Sequence, residues 1–404
     1  MDNQLPLAGL RVLDLTQGVA GPHCGLLLAQ SGAQVIKVEP PEGDWGRALG
    51  TGYPGRQNVL SVVYNRGKRS LALDLRQPSG RDIVLRLARQ SDIMLESNRP
   101  GVAQRLGIGF AQVAAINPAI LYVSVSGFGQ TGPYAERALT DTVAQAYTGL
   151  MSINLGADAI PHRVGMFVVD AVTGLYAFQA VQNALLGRLR HGGGTARHLD
   201  IPLAQSFSAL LAPKSLEFHL EGGQPKAPNV PAGSFRTADG WIAVTLVRES
   251  EFPGIARAIG QPALADDPRF GSFQARAENA TALFAILRQA IVQRGTDDWL
   301  ARFQAEKTLC ERIFDFGDWL ADAHVKATEG WVSVEQPGLG PVPHARIPGL
   351  PPARGDEPRA RAPRLGEQGR EILAELGLSD GEIARLAADG IVRLPDNETA
   401  RAAE

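Results

Sequence analysis

The feature that most constrains this chain is the alternation, from Arg11 to Ser126, of short β-branched apolar runs with segments of helical periodicity. Five runs predict strands: Arg11–Thr16, Gln34–Val38, Leu71–Leu75, Asp92–Glu96 and Ile120–Ser126. Runs this apolar need cover on both faces, and strands separated by helix-length segments pair in parallel through crossovers that lay a helix on the sheet. The first crossover holds Gly21-Pro22-His23-Cys24-Gly25 and then Leu26, Leu27, Leu28 and Ala29; proline just inside its start and Gly32 past its end bound a helix. The second begins near Ser79, sets Ile83, Val84, Leu87 and Ala88 on one face, and ends before Asp92. The reading is an α/β chain with a mostly parallel sheet.

Beyond Thr142 the pattern turns helical up to Leu189, interrupted by a loop around Ala157–Pro161. Ala171–Leu189 is so dense in apolar residues that it predicts a buried helix. His219–Ser234 is rich in Gly, Pro and Asn, Trp241–Leu246 follows the turn Ala238-Asp239-Gly240 as a strand, and Phe252–Phe303 reads as mostly helical. The expected division is 1–224 for the first part of a large domain, 225–310 for a smaller domain, and 311–404 for a C-terminal segment returning to the first. In that segment Glu335–Pro363 is expected to be extended, Ser379 and Glu382 form a capping box for a last helix, and Pro395–Glu404 is a frayed end.

The 404 residues exceed the roughly 100–200 of one domain and predict two to three. Forty Lys and Arg against 42 Asp and Glu leave a net charge of −2, which gives no general field for nucleic acid or membrane. With 44% hydrophobic and 20% charged residues the chain can bury a large core. Cys24 and Cys310, its two cysteines, fit a reducing compartment. Met1–Leu7 is no basic, apolar leader and no apolar run reaches the roughly 18–20 residues of a membrane span, so a cytoplasmic protein is expected.

Several motifs point away from chemistry. Gly127-Phe128-Gly129-Gln130-Thr131-Gly132 matches a dinucleotide fingerprint, yet Pro133-Tyr134 interrupts the required helix start and the motif follows the fifth strand; it reads as a tight glycine loop. His191-Gly192-Gly193-Gly194 has no G-x-S-x-G elbow to accompany it and reads as a helix C-terminus. The histidines lack metal-ligand spacing, so no metal is expected. Cys24 follows His23, but neighbours on a helix point about 100° apart, which favours a packing role for the thiol.

Three features remain. Basic residues cluster after strands in Asn65-Arg66-Gly67-Lys68-Arg69, in Ser97-Asn98-Arg99-Pro100-Gly101 with Arg105, and at Arg137; they suit a phosphorylated ligand at the carboxyl edge of a sheet, or form a solvated charged face. Asp170 enters the apolar run Ala171-Val172-Thr173-Gly174 either as an N-cap or as a carboxylate nucleophile. Glu221-Gly222-Gly223-Gln224 is a mobile lid or a linker.

Taken in order, Leu7–Leu15, Gly21-Pro22, Gly32–Glu39, Asn65–Ser70, Arg99-Pro100-Gly101, Gly127–Tyr134, Asp170 with Gly174, Ala238–Trp241 and Asp267–Phe270 resemble the class III coenzyme A transferases, the formyl-CoA and carnitine-CoA transferase family. The resemblance runs from Leu7 to Ile391. It implies a Rossmann-like large domain completed by the C-terminal segment, a smaller α+β domain and an interlocked homodimer. It implies transfer of CoA from an acyl-CoA donor to a carboxylic acid acceptor, with CoA as substrate and no tightly bound cofactor. An aspartate at the position of Asp170 is the family's nucleophile, passing through an aspartyl anhydride and an aspartyl-CoA thioester. By position Val19 and Ala20 border CoA, while Asn65, Arg66, Gly67, Lys68, Ser97, Asn98, Arg99, Arg105 and Arg137 surround its phosphates. Ser97-Asn98 stands where many members carry Asn-Phe, Pro40 replaces a basic residue, and Gly222-Gly223 is at most a short form of the tetraglycine lid of formyl-CoA transferase. Two alternatives stay open: an α-methylacyl-CoA racemase, although the histidine expected before Asp141 is Thr140, and a non-catalytic CoA-binding protein. Succinyl-CoA with a di- or hydroxycarboxylic acid is the expected pair, selected by the loops Met151–Arg163 and Gly222–Phe235.

Overall fold

The computed structural model describes residues 5–156, 159–223 and 227–395. Ala157 and Asp158, in one proposed acid-selecting loop, Gln224 of the glycine hinge with Pro225 and Lys226, and Asp396–Glu404 of the expected frayed end lie outside the described residues.

Six strands, β1 (Arg11–Leu15), β2 (Gln34–Glu39), β3 (Arg69–Leu73), β4 (Ile93–Glu96), β5 (Leu121–Ser126) and β6 (Arg197–Pro202), run parallel in the order β3-β2-β1-β4-β5-β6. A seventh, Val392–Arg393, lies antiparallel on the outer edge of β3. Alternate residues of each strand feed opposite faces: Val12, Val35, Ile93, Leu95 and Val123 join one core, while Leu13, Val38, Met94 and Tyr122 join the other. The helices are α1 (Ala20–Gln30), α2 (Val59–Tyr64), α3 (Pro78–Arg89), α4 (Val102–Arg105), α5 (Phe110–Ile116), α6 (Asp141–Tyr147), α7 (Leu150–Ile153) and α8 (Val168–His191). The first core is covered by α1 and α8, the second by α3 and α5 with Ile372, Leu373 and Ile383 from two C-terminal helices. β6 is an edge strand with Arg197, His198 and Asp200 among its first four residues, which is why its sequence lacks the apolar run of a central strand.

Helix α8 departs from the expectation of a wholly buried element. Val169, Thr173, Gly174, Ala177, Val181 and Ala184 form its buried stripe, but Leu175, Leu186 and Leu189 are exposed. The start of Glu335–Pro363, where the sequence predicts only extended chain, belongs to a hairpin of Trp331–Gln336 and Gly340–Ala345.

The chain divides into two compact units, Met1–Ala212 with Glu329–Glu404, and Pro213–Thr328. The divisions fall outside the expected 224/225 and 310/311; the second could not fall at 310/311 because Leu309–Arg312 is the third strand of the small unit's antiparallel sheet, paired to Trp241–Thr245, which itself pairs with Gly233–Arg236. That unit has its own core, with Phe235, Ile242, Phe270, Leu287, Trp299 and Phe303 fully enclosed. Among the described residues no helix is long and apolar enough to cross a membrane, and no cluster of side chains could hold a metal ion.

Candidate active site

β1 connects to β2 on one side and β4 to β5 on the other, so the carboxyl ends of β1 and β4 border the crevice where open α/β sheets take ligands. Gln17 N donates across it to Ser97 Oγ at 2.8 Å. Val19 caps α1 through its backbone and is buried with Ala20. Gly21 makes this tight entry possible, since a Cβ there would lie 2.3 Å from Thr16 Cβ. Gly18 N donates to both carboxylate oxygens of Asp44, at 2.9 and 3.1 Å.

Beneath this loop is a buried set of three acids and three bases. Asp14 Oδ2 meets Lys68 Nζ at 2.8 Å, Lys37 Nζ lies 3.4 Å from Asp44 Oδ2, and Arg47 grips both oxygens of Glu39 at 2.6 and 2.9 Å. Burial alone would raise the Asp14 and Glu39 carboxyls, but Lys37 and Lys68 around the first, and Arg47 on the second, hold both below the usual range. Lys37 donates to Thr16 O, so the set fixes the path of Thr16–Val19. Such pairs add little net stability compared with an apolar core; their effect here is to specify one loop conformation.

The structure separates the expected CoA contacts. Ser97, Asn98 and the exposed Arg99 stand on the turn after β4, the exposed Arg105 ends α4, and Asn98 N donates to Glu96 Oε2 at 2.8 Å. Arg137 is exposed in the loop after β5, its guanidinium 5.4 Å from the Tyr134 ring centroid and 5.8 Å from that of Phe128. Lys68, by contrast, presents no free ammonium: its three hydrogens go to Asp14 Oδ2, Pro22 O and Asn65 Oδ1 at 2.8, 3.0 and 3.2 Å. Asn65 and Arg66 are also buried, Arg66 donating to Ala345 O and Gly67 N to Arg361 O. This turn is packed beneath the C-terminal segment, and burial, with Arg359 nearby, pushes the Arg66 guanidinium down to about 10.

Asp170 lies in the first turn of α8, inside the helix rather than at its cap. The residue before the helix, Phe167, makes no side-chain cap; Asp141, in the first turn of α6, does so from a distance. Its Oδ2 accepts from Val169 N at 2.8 Å and Asp170 N at 3.2 Å. Gln145 donates to Asp141 Oδ1 at 2.6 Å and to Met166 O at 3.2 Å, and accepts from Val164 N at 2.8 Å, clamping the segment that enters α8. Those two α8 amides are therefore committed to Asp141 and are not free for an oxyanion.

Asp170 is only 9% exposed. Burial, then the charge of Asp141, pushes its carboxyl up to about 7. Burial, then Asp170 and Asp141, pushes the Tyr64 hydroxyl at the end of α2 up to about 12. His23 Nδ1 lies 3.0 Å from Ala171 O, and its ring is 5.5 Å from that of Tyr64. Gly174 lets α1 and α8 approach this closely, since a Cβ there would be 2.7 Å from His23 Cβ and 2.8 Å from Ala20 O. Cys24 is fully buried and its thiol is pushed up by burial, as a packing residue requires.

The roles of Gln145, Tyr64 and the buried ion pairs were not readable beforehand, because their partners lie far away in sequence. Only the i, i+4 spacing of Asp141 and Gln145 offered a local signal.

The fold is an open α/β sheet with a switch point between β1 and β4, and a buried carboxylate, Asp170, stands on the helix that crosses from β5 to β6. A family model described as CoA-transferase family III matches residues 7–369, and the chain belongs to that family as a class III CoA-transferase. It is 35% identical over 401 residues to the succinyl-CoA–D-citramalate CoA-transferase of Chloroflexus aurantiacus, covering 96% of this chain and 98% of that one. It is 34% identical to the succinate–glutarate CoA-transferase of Agrobacterium fabrum, over 92% of this chain and 96% of that one. The crystal structure of a CAIB/BAIF family protein from Brucella suis superposes with a TM-score of 0.80 at 34% identity, covering 92% of this chain and all (100%) of that one.

Proposed function

We propose that the protein moves CoA between carboxylic acids through Asp170. The ionised carboxylate attacks the thioester carbonyl of the donor, forming an acyl-aspartyl anhydride and releasing CoA thiolate. The thiolate attacks the aspartyl carbonyl, giving an aspartyl-CoA thioester and the free donor acid. The acceptor carboxylate displaces the thiolate to form a second anhydride, and the thiolate then attacks the acceptor's acyl carbon, regenerating Asp170 and forming the new acyl-CoA. Every intermediate is an anhydride or thioester, so the activated bond is conserved provided water is kept out.

The observation that carries this reading is the buried Asp170 carboxyl in the first turn of α8, pushed up to about 7 at the carboxyl side of a ligand-binding sheet. In it the backbone at Val19 and Ala20 borders CoA; Ser97, Asn98, Arg99, Arg105 and Arg137 meet the nucleotide phosphates. Asn65, Arg66, Gly67 and Lys68 shape the wall from beneath. The relatives named above support succinyl-CoA as donor and a small di- or hydroxycarboxylic acid as acceptor. In this reading the enzyme works in the cytoplasm as an interlocked homodimer. Asp170→Ala is expected to abolish exchange while leaving folding intact. Hydroxylamine trapping of the acyl-enzyme, with the modified residue located by mass spectrometry, is expected to mark Asp170; full activity in the variant would refute the mechanism.

A further inference from the structure

Two polar groups beside Asp170 have no part in the exchange chemistry. His23 Nδ1 contacts the carbonyl oxygen of Ala171 at 3.0 Å, and since a carbonyl only accepts, Nδ1 carries the proton. Burial holds the ring below its ordinary pKa, so the imidazole is neutral and Nε2 is an acceptor. The Tyr64 ring leans against it, with centroids 5.5 Å apart and planes at 59°. No described residue hydrogen-bonds to His23 Nε2 or to the Tyr64 hydroxyl, and both side chains are only half-buried. Lys68, whose charge reaches His23, has all three ammonium hydrogens engaged elsewhere.

The two rings pack together beside the first turn of α8: His23 touches the backbone of Ala171, and the charge of Asp170 reaches the Tyr64 hydroxyl. A plain alkyl chain placed there would leave both unsatisfied. An alcohol satisfies both, donating its hydrogen to Nε2 and accepting from the Tyr64 hydroxyl. We propose that His23 and Tyr64 select the acid by binding a hydroxyl on its chain, so that the preferred acceptors are 2- or 3-hydroxycarboxylic acids. The proposal rests on Asp170 being the nucleophile, because it is the position of Asp170 that brings the acid beside this pair.

The test compares acceptors that differ by one hydroxyl, malate against succinate and 3-hydroxybutyrate against butyrate, with a panel of CoA donors. The wild type is expected to favour the hydroxylated member of at least one pair by about tenfold in kcat/KM, the worth of about one hydrogen bond. Tyr64→Phe removes one oxygen and keeps the packing; it should lower the hydroxylated acid's kcat/KM by about tenfold, mainly through KM, and leave the plain acid within about twofold. His23→Phe should do the same, and His23→Gln, which retains an acceptor, should recover part of the preference. Equal losses on both members of a pair, or a wild type without preference, would overturn the proposal while leaving the transferase reading intact. A wild type that exchanges CoA with no acid would overturn both.

Discussion

Replacing Asp170 with asparagine is expected to stabilise the protein while ending its activity. The carboxyl titrates near 4 in an unfolded chain and near 7 in the folded one, where burial and then Asp141 oppose its charge. Below about pH 4 both states are protonated and the group contributes no difference. Between about 4 and 7 the folded state retains a proton that the unfolded state releases, so stability falls as pH rises; above about 7 the full loss is present. About three pK units at about 1.4 kcal/mol each give about 4 kcal/mol. Asparagine carries no charge to bury but still buries an amide, so the expected gain is about 2–4 kcal/mol at pH 8 and near zero at pH 4. Urea unfolding and scanning calorimetry of wild type and Asp170→Asn at pH 4.5 and 8 would measure it, with probes reporting on the large unit because two units need not unfold together. A variant whose advantage does not grow with pH would refute the account of this carboxyl as held against its own ionisation. Such a gain would place Asp170 among sites where function is maintained against stability.

Two further expectations concern its supports. Asp141→Asn keeps an acceptor for the Val169 and Asp170 amides but removes the charge, so the acid limb of kcat/KM against pH should move below about 7; an unmoved limb would mean that burial alone sets the Asp170 carboxyl. Lys68→Met leaves Asp14 buried without its closest cation and should cost about 3–5 kcal/mol in denaturant unfolding. A variant that folds normally but loses the salt dependence of CoA binding would instead show Lys68 at a phosphate.

Much of the large unit was legible because its signal is local. The runs at Arg11, Gln34, Asp92 and Ile120 lie within a residue or two of the observed strands, since a strand buried on both faces must be apolar throughout. β3 starts earlier than its run, at Arg69, because the polar pair Arg69-Ser70 is held by Glu375 and Gln368 rather than by apolar packing. Asp170 was legible as a choice between cap and nucleophile, and the structure removes the first option by supplying Asp141 as the cap. Nothing near Lys68 in sequence announces Asp14 as its partner, so a lysine that closes a buried ion pair looked like one that meets a phosphate. The same long-range pairing hid Tyr64, which acquires a neighbour in His23 only once α2 is folded back toward α1.

The antiparallel strand Val392–Arg393 has a consequence for how the chain is made. It covers β3, which ends at Leu73, and Asp74 N donates to Ile391 O at 2.8 Å. Translation delivers β3 well before its cover, with the whole of Pro213–Thr328 synthesised in between. That contiguous unit can complete its core on the ribosome while the sheet beneath α8 still has an open edge, able to pair with any other nascent strand. Closing that edge must wait for Val392–Arg393, so chains that stop short of Val392 should keep an open β3 edge and be more prone to aggregate.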